Sequence, residues 1–110
     1  IYELPLMLQA EGLDEVVCEH LHLQTPPAQM GDWAKFVERV VRPRKRVAIA
    51  VVGKYIELQD AYKSIYESLT HAGAAHDCGI DLVLVDAEDL ETEGAPAHLL
   101  RGVAGVLVPG

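Results

Sequence analysis

The chain has 110 residues, half of them apolar, and its 17 acidic against 9 basic side chains give a net charge of -8. That length holds one small domain or parts of two, and the composition is that of a globular chain rather than a disordered one. So negative a chain excludes a broad nucleic-acid surface, which needs a positive field. No apolar run approaches the roughly 20 residues of a membrane helix, and no signal-peptide pattern opens the chain. Two cysteines, Cys18 and Cys78, are too few for a disulfide framework and fit a reducing compartment. The first residue, Ile1, already lies in an apolar helical pattern, and Gly110 follows a buried strand. The chain is therefore read as a piece of a longer one.

Residues 1–23 read as two short helices broken at Gly12, with Asp14 capping the second and Val17 and Leu21 one turn apart. Residues 24–45 read as a linker. Thr25-Pro26-Pro27 cannot continue a helix, and Pro43 stops the next one. Between them Trp33, Phe36, Val37 and Val40 follow i, i+3, i+4, i+7 spacing, with Gly31 or Asp32 as cap. Such a stripe has to pack, so the linker is expected to be docked.

Residues 46–110 change character. Val47-Ala48-Ile49-Ala50-Val51-Val52, ending at Gly53, predicts a parallel strand buried on both faces. Asp60 is expected to cap a helix with inner residues Tyr62, Ile65, Tyr66 and Leu69, closed near Gly73. A second strand follows at 80–85, a short helix around Ala97–Arg101, and a third strand at 105–108. This β-α-β-α-β order predicts the opening of an α/β domain with a parallel sheet.

The segment from Val52 to Ser64 joins a strand end to a helix start, the edge where open α/β sheets hold ligands. Lys54 and Lys63 place two cations there. Gly53-Lys54-Tyr55 is no Walker loop, because Ala48 stands at the upstream glycine position and Tyr55 replaces Ser/Thr. A dinucleotide Gly-x-Gly-x-x-Gly is absent as well, so the loop either contacts a ligand or merely packs. Cys18-Glu19-His20-Leu21-His22 mimics a metal cluster, yet residues two apart on a helix diverge by about 200°. No metal site is assigned, and neither cysteine follows a nucleophile elbow. Arg42, Arg44, Lys45 and Arg46 read as a solvated junction, or as a contact to an acidic neighbour. Asp86 is left as a strand-end acid. The Pro109-Gly110 turn can aim backbone N–H groups at the sheet's carboxyl edge, as an oxyanion hole requires.

Taken in order, five stretches closely resemble the CTP synthase family of glutamine-dependent ligases. They are Ile1-Tyr2-Glu3-Leu4-Pro5-Leu6 with Gly12-Leu13-Asp14, Val52-Gly53-Lys54-Tyr55-Ile56-Glu57-Leu58, Asp60-Ala61-Tyr62-Lys63-Ser64, Leu69-Thr70-His71-Ala72-Gly73, and Val106-Leu107-Val108-Pro109-Gly110. The resemblance covers essentially the whole chain, and other class I amidotransferases do not share the stretch from Gly53 to Ser64.

The resemblance implies the last helices of an amidoligase domain at 1–23, an interdomain linker with one helix at 24–45, and the start of a flavodoxin-like class I amidotransferase domain at 46–110. It implies amination of UTP to CTP with ATP and Mg²⁺, using ammonia from glutamine. GTP activation, CTP inhibition and a homotetramer also follow from it; a cytoplasmic setting is expected, and the chain's acidity and lack of a membrane-length apolar run leave no nucleic-acid or membrane partner expected. Gly110 matches the first glycine of the glutamine oxyanion turn, and Lys54, Tyr55 and Lys63 match positions near the interdomain cleft. The family's nucleophile, its triad partners, its phosphate loop and its Mg²⁺ carboxylates have no counterpart in these 110 residues, so the piece alone is expected to be inactive. One rival is a different class I amidotransferase, against which residues 1–23 speak. Another is a non-catalytic flavodoxin-like module such as a receiver, which would need an Asp where the third strand ends in Val108-Pro109-Gly110.

Leu4, Leu6, Leu8, Val17 and Leu21 are expected to lack partners within the chain, and each exposed side chain forgoes about 1.5–3 kcal/mol of burial. Together they rival the whole stability of a small domain, about 5–15 kcal/mol. The isolated 110-residue piece should therefore associate or melt without cooperativity. A sharp thermal transition from a monodisperse 12.0 kDa species would show otherwise.

Overall fold

The computed structural model describes residues 1–58 and 60–109. Helix α1 spans Leu4–Ala10, α2 Leu13–His20 and α3 Gly31–Val41. Strand β1 spans Lys45–Gly53, α4 Lys63–Ala75 and β2 Cys78–Asp86. A 3-10 turn at Glu88–Glu91, helix α5 at Ala95–Leu99 and strand β3 at Gly105–Leu107 follow.

All three strands are parallel, in the order β2-β1-β3. β1 is central, and its apolar run delivers the expected burial at Ala50, Val51 and Val52. It pairs along its whole length with β2, from Lys45 opposite Cys78 to Gly53 opposite Asp86. β3 pairs only from Ile49 opposite Gly105 to Val51 opposite Leu107. Strand side chains alternate between faces, so Ile49, Val51 and Gly53 share a face with Ile80. α4 lies on that face, with Gly53 against Tyr62 and Gly73 against Ile80. This is the α/β, parallel-sheet opening that the alternating pattern predicted.

Several local expectations are corrected. Gly12, at φ +76, is the cap of α2, and Asp14 falls inside its first turn. A left-handed cap favours glycine over any side chain that could cap by hydrogen bonding. Met30, not Gly31 or Asp32, precedes α3. Tyr62 is the cap residue of α4, and Asp60 lies outside the helix in the turn before it. Gly73 does not close α4, which runs on to Ala75. It is glycine because the helix crosses the start of β2 there. An added Cβ would meet the Cys78 carbonyl and come within 2.9 Å of the Ile80 side chain.

The linker helix is docked, as its stripe required. Val37 is buried, Phe36 and Val40 are half-buried, and α3 packs on α4 and β2. At the amino end of the sheet, Arg44 pairs with Asp77 at 2.7 Å and Arg46 with Asp81 at 2.6 Å. The Arg46 guanidinium, through its hydrogen bond and charge, holds the Asp81 carboxyl below its ordinary range. The basic run is thus partly paired in cis, where the sequence allowed a purely solvated junction or an acidic neighbour.

The helices at the start stand apart from this body. The radius of gyration is 19.4 Å, against about 13 Å for a compact chain of some 100 residues. Leu4, Leu8, Val17 and Leu21 are all exposed, and Leu6 is half-buried. The link to the body runs through Tyr2. Its hydroxyl donates to the Glu67 carboxylate of α4 and lies 2.9 Å from His71 Nε2, while its carbonyl accepts from Trp33 Nε1 at 3.0 Å. Its ring meets Phe36 edge-on at 5.4 Å and His71 at 5.7 Å. The hydrogen bond to Glu67, then burial, then the carboxylate's charge push the Tyr2 hydroxyl up to about 12.

Gly73→Ala should destabilise the fold by about 1–3 kcal/mol through overpacking, outweighing the helix propensity gained. Gly31→Ala, where a Cβ meets nothing within 4 Å, should be neutral or slightly stabilising. Thermal scans of the two variants side by side check the contrast.

Candidate functional site

The strand order fixes where a ligand site belongs. From β1 the chain crosses through α4 to β2 on one flank, then returns through α5 to β3 on the other. Parallel crossovers are right-handed, so the two connections leave on opposite faces. The carboxyl ends of β1 and β3 therefore lie side by side where the strand order changes direction, the topological switch point at which open α/β sheets hold ligands in a crevice. Gly53, Lys54 and Tyr55 form one lip, and Val108 and Pro109 the other.

The β1 lip is built by tight turns. Leu58 N–H donates to the Tyr55 carbonyl at 3.0 Å, and Ala61 N–H to the Leu58 carbonyl at 2.9 Å. Ala87 N–H, from the loop after β2, donates to the Gly53 carbonyl at 3.2 Å. The buried Tyr62 side chain lies across Gly53, where an added Cβ would sit 2.5 Å from the Tyr62 hydroxyl. Gly53 is therefore the seat of Tyr62. The resemblance already ran through both residues, but nothing in their spacing signals that contact.

Lys54, Tyr55 and Lys63 are all exposed on this edge. Lys63 opens α4, whose first turn carries no acidic side chain, so its positive helix end is reinforced rather than offset. Among the described residues no ion pair holds Lys54 or Lys63. The three side chains share one edge without touching through a hydrogen bond among the described residues. Gly110 lies outside the described residues. Beyond β2 the same edge turns acidic, with Asp86, Glu88, Asp89, Glu91 and Glu93 in eight residues; Asp86 Oδ1 accepts the Glu88 N–H at 2.9 Å.

An open cavity of 780 Å³ lies elsewhere, between α1, α2 and the 24–28 segment, lined by Gln9, Asp14, Cys18 and Thr25 among others. Cys18 Sγ is 3.4 Å from Thr25 Oγ1, its one side-chain hydrogen-bond partner among the described residues. The cavity offers volume but no chemistry. The crevice has the topology and the cations.

The full 110 residues are 48% identical to a stretch covering 20% of a CTP synthase from Streptococcus pyogenes serotype M18. The chain is homologous to a segment of CTP synthase. CTP synthases of S. pyogenes serotypes M3 and M1 match at 47% over the same 110 residues, again 20% of each. No protein-family model matches the chain. The chain thus spans about one fifth of the length of the CTP synthases it matches. Among the described residues no group of three or more His, Cys, Asp or Glu could hold a metal ion. Cys18 lies within α2 and buried Cys78 opens β2, so neither occupies a strand-to-helix turn.

Gly53→Ala should force Tyr62 out of its seat and cost about 1–3 kcal/mol. Combined with Tyr62→Ala it should cost less than the two single changes added together, since the clash is then gone. A double-mutant cycle on thermal or denaturant midpoints reads the coupling; strict additivity would contradict it.

Proposed function

We propose that this chain is the junction of a glutamine-dependent CTP synthase. In this reading, residues 1–23 end the amidoligase domain, 24–45 link the domains, and 46–110 begin the amidotransferase domain. The observation that carries it is the similarity to CTP synthases from the first residue to the last. The switch-point crevice, with its two cations, supports a ligand-facing role for the second half.

The whole enzyme then hydrolyses glutamine with a nucleophile and uses the ammonia to displace phosphate from ATP-activated UTP. Lys54, Tyr55 and Lys63 line the interdomain side of the crevice and meet an anionic activator, GTP. Gly110, at the β3 lip, contributes to the glutamine oxyanion turn. The protein is a cytoplasmic homotetramer that accepts UTP, ATP, glutamine, GTP and CTP, with no nucleic-acid or membrane partner. Mg²⁺ accompanies the nucleotides, but the described residues supply no ligand set for it, and no step here is assigned to it. No helix among the described residues is long and apolar enough to cross a membrane.

The chemistry of the edge yields a test. Lys63 at a bare helix start provides one charge-assisted contact to an anion. In the full-length protein Lys63→Ala should lower glutamine-dependent CTP formation and its activation by GTP roughly tenfold, the weight of one such contact. Ammonia-dependent synthesis should fall much less. Equal loss with both nitrogen sources would indicate a defect of assembly rather than of the crevice.

A further inference from the structure

Lys63, Glu67 and His71 stand four residues apart on α4 and so form one row along the helix. Lys63 heads the row at the crevice. Glu67, one helical turn further on, is within reach of such a lysine, yet among the described residues no carboxylate pairs with it. Glu67 is occupied elsewhere, as the acceptor of the Tyr2 hydroxyl. His71 Nε2, 2.9 Å from the same hydroxyl, flanks it on the other side. Tyr2 comes from the segment just before α1, 65 residues from Glu67. Among the described residues, every hydrogen bond from 1–23 to α3 or α4 involves Tyr2.

We propose that Glu67 is a switch carboxylate. With the first helices docked, Tyr2 holds Glu67 and leaves Lys63 open to an anionic ligand; with Tyr2 withdrawn, Glu67 turns to Lys63 and masks its charge. The position of the first helices is thereby reported to the crevice without any movement of the sheet. Two states that differ in a single hydrogen-bond partner suffice, because Tyr2 already bonds Glu67 and Lys63 lies one helical turn before it on α4. Tyr2 is a positioning residue in this scheme and touches no ligand. The functional consequence rests on the reading of Lys63 given above, whereas the exchange of partners does not.

The test uses the full-length protein and three variants, Tyr2→Phe, Glu67→Gln and the two combined. Tyr2→Phe keeps the ring against Phe36 and His71 but removes the donor. Acetic anhydride labelling of Lys63, read by mass spectrometry against the other lysines, should fall roughly twofold in Tyr2→Phe, the weight of an i,i+4 ion pair. It should return to the wild-type level in Tyr2→Phe/Glu67→Gln. Glutamine-dependent CTP formation should follow the same fall and rescue, while the ammonia-dependent rate stays level. A merely structural role for Tyr2 predicts the opposite, a double variant worse than either single one. Unchanged labelling in Tyr2→Phe, or labelling that falls without rescue by Glu67→Gln, overturns the switch. If labelling falls and recovers while CTP formation does not respond, the switch stands and the assignment of Lys63 to an anionic ligand fails.

Discussion

The structure turns on β1 being central. A strand buried on both faces and hydrogen-bonded on both edges must be apolar without alternation, and Val47 to Val52 is. Once it sits between β2 and β3, the chain has to leave it on one flank and come back on the other. The switch point at its carboxyl end follows from that geometry, whatever the loops contain. The same strand end explains Gly53, which has to be small so that Tyr62 can close over it and start α4 where Lys63 stands.

Much of this was legible in the sequence because it is periodic or local. The strand cores, the two helices broken at Gly12, the linker stripe and the β-α-β-α-β order are recorded in residues close together along the chain. Boundaries and caps were less legible, since they depend on contacts that periodicity does not carry. Gly73 illustrates the failure. A glycine near a helix end reads as a terminator, but here it serves a close crossing with Cys78 and Ile80, which only the assembled layers impose. Asp60 has the side chain of a capping residue, but the tight turns from Tyr55 to Ala61 leave it before the helix.

The candidate site divides in the same way. Lys54, Tyr55 and Lys63 could be placed at a strand end and a helix start from sequence, and the structure puts all three on one exposed edge. The Tyr2, Glu67 and His71 group was invisible, although Tyr2 and His71 both lie in stretches that carry the family resemblance. Nothing local to Tyr2 names a partner 65 residues away. The spacing of Lys63, Glu67 and His71 was a usable signal, since three polar residues in one row of an otherwise half-buried helix invite a partner.

The charges along the sheet have a further effect. Arg42, Arg44, Lys45 and Arg46 gather at the amino end of β1, and Asp86, Glu88, Asp89, Glu91 and Glu93 gather past the carboxyl end of β2. Nine residues of strand separate the groups by roughly 30 Å, so the sheet carries an electric dipole whose negative pole adjoins the crevice. That pole repels any approaching anion, and the repulsion reaches about a Debye length, about 8 Å at physiological ionic strength. Salt screens it. Moderate salt therefore eases the approach of anions to this edge, the reverse of ordinary steering between opposite charges.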